Sequence, residues 1–205
     1  MIELLSGFII HLIQSTGYLG IFLVMTLESA LIPIPSEVTM PFAGFLVSTG
    51  GLSFLPVVLV GALGNLVGSW IGYAIGYFLE EKIILNLIKK YGKFILVSVD
   101  EYNHSLKWFS KFGDKIAFFS RILPAVRTFI SLPCGLSEMN FWKFSTYTFL
   151  GSLIWTIVLT YVGVYLGSKW NTIGVYFHKF DLVLAVLLVF AVLFYVNHKL
   201  KIIKY

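Results

Sequence analysis

The chain has 205 residues, of which 58% are hydrophobic and only 12% charged, and its mean hydropathy is +0.89. An ordinary soluble domain carries about 25% charged residues, so lipid must solvate much of this one, and the length leaves no room for a separate soluble catalytic domain. The net charge of +5 is too small and too scattered for a nucleic-acid partner, and no such binding motif occurs.

Met1-Ile2-Glu3 lacks the basic start of a signal peptide, which predicts that the first apolar stretch is retained. Residues 1–15 read as an interfacial or tilted helix that Gly17 ends. Between Leu4 and Leu79 the only formal charges are Glu28 and Glu37. That stretch is too long for one span, since about 20 apolar residues cross a bilayer. Pro33, Pro35 and Pro41 are expected to break it, together with the turn Ser48-Thr49-Gly50-Gly51. Residues 18–47 then form two half-helices meeting at Pro33-Ile34-Pro35, and 53–79 form a full span. Gly61, Gly64, Gly68, Gly72 and Gly76 line that span, several four apart, where small residues let helices approach closely.

Residues 80–115 hold seven lysines against five acids, with aromatics between them. This reads as a cytoplasmic segment of amphipathic surface helices. From Ile116 the chain is apolar again and is expected to break at Pro124 and Pro133. A full span follows at 141–167, and a final apolar helix at about 182–197 leads to a lysine-rich tail. Cys134 is the only cysteine, so no internal disulfide can form.

Placing both lysine-rich regions in the cytoplasm makes the two apolar halves, about 17–79 and 116–167, run in opposite directions. Sequence echoes agree: Leu63-Gly64 and Gly76-x-x-Leu79 recur as Leu150-Gly151 and Gly163-x-x-Leu166 at an offset of 87 residues, shared by Phe54 and Phe141. The expected fold is an all-α polytopic membrane domain over residues 1–205. It has two inverted-repeat re-entrant helical hairpins, transmembrane helices and amphipathic surface helices. Paired broken segments in inverted halves point to a transport site near the midplane.

The charges in those segments are the candidate site. Glu28 lies inside an apolar helix, where its bland role is a structural ion pair. Glu37 follows Pro35 in a helix's first turn, where a carboxylate also serves as a cap. The motif Ser120-Arg121-Ile-Leu-Pro124-Ala-Val-Arg127 contains both arginines of the chain, and the other thirteen cations are lysines. An arginine at this depth costs about 2.5–3.5 kcal/mol on insertion scales, so it needs partners. Two Glu–Arg pairs would meet that need. They either tie the halves together or exchange with an anionic ligand, which arginine's planar fork can grip when a glutamate is protonated. Asn65 either hydrogen-bonds to the site or joins helices. His11, Tyr73, Tyr77, Trp155 and Tyr161 fit interfacial or packing positions. No zinc-type cluster, catalytic triad or nucleotide loop is present, so neither an enzyme nor a cofactor or metal is expected.

At this point the sequence resembles the DedA family of SNARE-associated or VTT-domain membrane proteins. The resemblance rests on Glu28 followed by Pro-Ile-Pro-Ser-Glu37, on Gly64-Asn65 with Gly72-Tyr73-x-x-Gly76, and on Ser120-Arg121-x-x-Pro124-x-x-Arg127 leading to Gly135 and Met139. It implies a proton-coupled flippase of a lipid phosphate in the cytoplasmic membrane, with undecaprenyl phosphate recycling for the cell envelope as the leading substrate. Arg121 and Arg127 would hold the phosphate and Glu28 and Glu37 would couple the proton, supported by Pro33, Pro35, Ser36, Asn65, Ser120 and Pro124. Asn65 stands where many members have aspartate. The alternative is an uncoupled phospholipid scramblase or membrane organiser acting on, for example, phosphatidylethanolamine. Partners are membrane lipids and protons, and a homo-oligomer stays open.

Overall fold

A computed structural model describes residues 2–30, 36–79, 85–86, 109, 111–122 and 126–167. The C-terminal helix expected at 182–197 and most of the lysine-rich segment at 80–115 lie outside these residues.

Every regular element described is helical. Helix α1 (Ile2–Thr16) is followed by α2 (Tyr18–Ser29), α3 (Ser36–Ser48) and α4 (Phe54–Phe78). A helical run at 111–119 tightens into a 3-10 turn at Ser120–Ile122, and the short α5 (Val126–Phe129) and α6 (Ser131–Leu136) precede α7 (Phe141–Leu166). Gly17 separates α1 from α2 with φ of 60°, a backbone region that side-chain-bearing residues rarely adopt. Asn140 caps α7 by accepting from the backbone N–H groups of Trp142 and Lys143, both at 3.1 Å.

Two prolines behave differently from expectation. Helix α3 continues through Pro41, which forfeits only one backbone bond, to Glu37 near the helix start. Pro133 is the third residue of α6, a position whose N–H has no partner inside the helix in any case. Neither proline breaks its helix.

Only α4 and α7 among the described helices are long and apolar enough to cross a membrane, with 25 and 26 residues. Their outward faces carry large apolar residues such as Leu59, Leu63, Ile71, Ile75, Leu150, Ile154, Ile157 and Val158. Their inward faces carry Gly61, Gly64, Asn65, Gly68 and Ser69 on α4, and Thr148, Gly151, Ser152, Thr156 and Thr160 on α7. A water-soluble helix buries its large apolar residues instead, so this reversal marks helices solvated by lipid. Helix α2, with 12 residues, spans about 18 Å and falls short of a bilayer core of about 30 Å.

Small residues on the inward faces allow backbone-to-backbone contact. A Cβ on Gly64 would strike the Phe22 carbonyl of α2, and one on Gly151 the Phe118 carbonyl. Gly76 rests on the Leu132 carbonyl of α6, and Gly163 on the Pro41 carbonyl of α3. Gly135 meets the Tyr73 carbonyl and Gly44 that of Thr160. In each pair the residues on α4 and α7 lie 87 apart, the spacing of the sequence echoes. Each long helix thus packs on the limb that opens its own broken segment and on the limb that closes the other.

These contacts leave no room for a methyl group. Gly163→Ala is expected to destabilise the protein by about 1–3 kcal/mol, the usual cost of overpacking. A thermal midpoint in detergent unchanged from the parent would refute the close approach.

Two apolar clusters flank the polar centre. One joins α1, α2, α3 and the start of α4 around Ile13, Met25, Met40 and Val57. The other gathers Tyr73, Ala117, Cys134 and Phe144. Along α4, Asn65 and Ser69 fall between Val57 and Tyr73, and the buried charges collect there.

Candidate functional site

Helix α5 carries Arg127 into contact with both limbs of the first broken segment. Its Nη2 forms an ion pair with Oε1 of Glu28, near the end of α2, and donates to Ser36 Oγ, the first residue of α3. The side chains are only 7% and 4% exposed, so water does little to screen the pair. From α7, Trp155 covers the guanidinium, whose carbon lies 5.2 Å from the ring centroid, and its Nε1 donates to the same Ser36 Oγ at 3.5 Å. A desolvated cation–π contact of this kind contributes about 2 kcal/mol or more. Trp155→Ala is therefore expected to lower the thermal midpoint markedly, whereas Trp155→Phe, which keeps a ring face, retains most of it. Equal losses in the two variants would count against the cation–π role.

Arg121 occupies a different environment. From the 3-10 turn, its Nη1 donates to Ser69 Oγ on α4 at 2.9 Å and to the backbone carbonyl of Arg127 at 3.0 Å. Its Nη2 donates to Ser131 Oγ at the start of α6, at 3.0 Å, and the guanidinium carbon lies 5.5 Å from the Phe144 ring centroid. These described partners are all neutral. Gly151 lets the side chain pass α7, because a Cβ there would overlap Arg121 Cβ.

A third contact closes the arrangement. Ser29, next to Glu28, donates to Asn65 Oδ1 at 2.6 Å. Polar contacts therefore run in a ring from Glu28 through Arg127 to Arg121, on to Ser69, along one turn of α4 to Asn65, and back through Ser29. Three buried atoms on this ring have no hydrogen-bond partner among the described residues: Glu28 Oε2, Asn65 Nδ2 and Arg121 Nε. An unpaired buried polar group costs about 1–3 kcal/mol, and such groups mark places where water, an ion or a ligand completes the structure.

Several expectations change here. Of the two expected Glu–Arg pairs, the structure places Arg127 on Glu28, and the contacts of Arg121 given above are hydroxyls, a carbonyl and a ring. Glu37 is half-buried in the first turn of α3. Ser120 turns to the Ala117 carbonyl of its own helix at 3.3 Å and serves the local backbone. Asn65 reaches the ring through Ser29 and touches no charge directly. Pro33, Pro35 and Pro124 lie outside the described residues. His11 is exposed on α1. Sequence reasoning gave Trp155 no part in the site and left out Ser69, Ser131 and Phe144. Their sole signal was a position on the inward helix faces.

The fold and the site define a helical membrane protein in which a buried, ion-paired arginine sits between broken helical segments and two apolar spans. The chain belongs to the VTT-domain, or DedA, family: residues 34–165 match the VTT domain. Uncharacterized membrane protein YkoX of Bacillus subtilis (strain 168) is 39% identical over 165 residues, covering 80% of this chain and 71% of that protein. Undecaprenyl phosphate transporter A of the same organism is 32% identical over 161 residues, 78% of this chain and 77% of its own length. A Lactococcus lactis subsp. lactis (strain IL1403) relative named alkaline phosphatase-like protein is 31% identical over 196 residues, 93% and 92% of the two chains. No solved structure matches the chain significantly.

Proposed function

We propose that this protein is a proton-coupled transporter of a lipid phosphate, with undecaprenyl phosphate as the leading substrate. The observation that carries the reading is the buried Glu28–Arg127 pair. A carboxylate that neutralises an arginine in a lipid-solvated site is a competitor for any anion that enters. Protonating Glu28 removes the competitor and opens Arg127's fork to a phosphate. The name of the transporter relative supports a lipid phosphate as that anion.

In this reading α2–α3 and the segment from 116 to 136 are two re-entrant hairpins of one membrane domain, related as inverted halves (about 17–79 and 116–167). The short α2 and the paired glycine contacts support that reading. The lysine-rich centre and tail face the cytoplasm, which sets the direction of each half. The membrane potential then contributes about 2.3 kcal/mol per charge per 100 mV, enough to bias a cycle that moves net charge.

The test uses purified protein in vesicles loaded with a fluorescent short-chain polyprenyl monophosphate. Transport that accelerates under an imposed pH gradient is expected. Movement indifferent to the gradient would favour an uncoupled phospholipid scramblase or membrane organiser. The phosphatase-like name of the Lactococcus relative suggests a further outcome, and inorganic phosphate released in the same vesicles would establish it.

A further inference from the structure

We propose that Arg121 is the positioning residue of the arginine pair: it holds Arg127 in register and does not itself take the lipid phosphate. The transport arm of this inference rests on the lipid-phosphate reading above, and the spectroscopic arm does not.

The geometry separates the two side chains. Arg121 spends both N–H bonds of Nη1 and one of Nη2 on three protein acceptors from three places in the chain: Ser69 on α4, Ser131 on α6 and the backbone carbonyl of Arg127. Three of its five N–H bonds are thus committed to the protein, and only the buried Nε–H and the second Nη2–H stay outside this bracket. The bond to the Arg127 carbonyl is the informative one, because it fixes the backbone that carries Arg127 across from Glu28 and Ser36. Helix α5 has four residues and runs on through Ile130 into α6, so its first turn is the open end of that run and the place where an outside anchor acts. Arg121 supplies an anchor from one side and Trp155 covers Arg127 from the other. A lysine cannot substitute, because a point ammonium does not span three acceptors in one plane.

Arg127 is held instead by contacts that a change of charge can undo. Its ion pair depends on Glu28 remaining ionised, and its other described partners are the Ser36 hydroxyl and the face of Trp155. The pair thus divides into a fixed bracket and an exchangeable grip.

Trp155 gives a direct readout, because its ring lies on Arg127 and its N–H reaches Ser36. In full-length protein with Trp70, Trp108, Trp142 and Trp170 changed to phenylalanine, the emission of Trp155 reports where Arg127 lies. Arg121→Gln and the milder Ser69→Ala/Ser131→Ala variant, which keeps both arginines, are expected to shift that emission in the same direction as Arg127→Gln. Emission unchanged in both would overturn the positioning role whatever the protein transports.

In vesicles with the fluorescent polyprenyl monophosphate, both bracket variants are expected to lower the maximal rate about tenfold while KM stays within about twofold. Arg127→Lys is expected to raise KM about tenfold or more. A tenfold rise in KM for Arg121→Gln, with Ser69→Ala/Ser131→Ala matching the parent, would make Arg121 a direct ligand instead. Full transport by Arg127→Lys would reject the bidentate grip, and no transport of the probe by the parent protein would reject the lipid-phosphate reading; either leaves the emission result standing by itself.

Discussion

Arg127→Lys is expected to reduce transport of a polyprenyl phosphate about ten- to a hundredfold even though the charge is kept. The guanidinium meets Glu28 and Ser36 through Nη2 and lies against the face of Trp155, which leaves the rest of its fork for a phosphate. A lysine ammonium could meet Glu28 and Ser36 from its one nitrogen, as Nη2 does here, but it loses the flat face toward Trp155 and the parallel bonds that a phosphate would use. A hydrogen bond to a charged group contributes about 1.5–3 kcal/mol. Losing one bond of a bidentate grip therefore corresponds to roughly one to two powers of ten.

Arg127→Gln tests the structural half of the argument. It leaves Glu28 buried without its counter-charge, which costs about 3–5 kcal/mol. Glu28→Gln/Arg127→Gln removes both charges and is expected to recover much of that stability without recovering transport. The measurements are the thermal midpoint in detergent and the initial rate in vesicles. Normal rates in Arg127→Lys would sink the bidentate role. Recovery of both stability and transport in the double variant would reduce the pair to a strut between elements.

Much of this architecture is legible in the sequence for a simple reason. In lipid, a charge is expensive and a glycine face is the means of helix contact, so both stand out against an apolar background. Glu28, Arg121 and Arg127 could be picked out as charges in apolar segments, and all three are buried at one centre. The 87-residue echo identified Gly64, Gly76, Gly151 and Gly163, each of which rests on a carbonyl. Which glutamate meets which arginine was not legible, because that depends on how limbs far apart in sequence pack. Trp155 was hidden by its type, since a tryptophan in a membrane helix has several ordinary uses. Ser69 and Ser131 were hidden by the same ambiguity: nothing local separates a serine that binds a guanidinium from one that spaces two helices. Pro41 and Pro133 misled because proline's cost depends on its place in the helix: Pro133 stands in a first turn, and Pro41 gives up a single bond that the rest of α3 outweighs.

Glu28→Gln is expected to abolish the response to a pH gradient while leaving slow movement of lipid down its own concentration gradient. Glutamine is nearly the shape of a protonated glutamate, and it cannot neutralise Arg127. The variant is therefore held in the open, anion-accepting condition at every pH. The sign follows from the pair: acidifying the side on which Glu28 meets water protonates it, releases Arg127 and loads the anion. A glutamine at this position loads without acid and cannot be reset by proton release. The expected result is a flat pH profile for probe binding, with transport no longer accelerated by the gradient. Arg127 would also lose its buried counter-charge, so a lower thermal midpoint accompanies the change. Glu37→Gln provides the comparison. Its side chain is half-buried in the first turn of α3, whereas Glu28 is 3% exposed and paired with Arg127, so the effect of Glu37→Gln on the pH profile is expected to be smaller. If instead Glu37→Gln flattens the profile and Glu28→Gln leaves it intact, the coupled proton belongs to Glu37 and the Glu28–Arg127 pair is a fixed part of the scaffold.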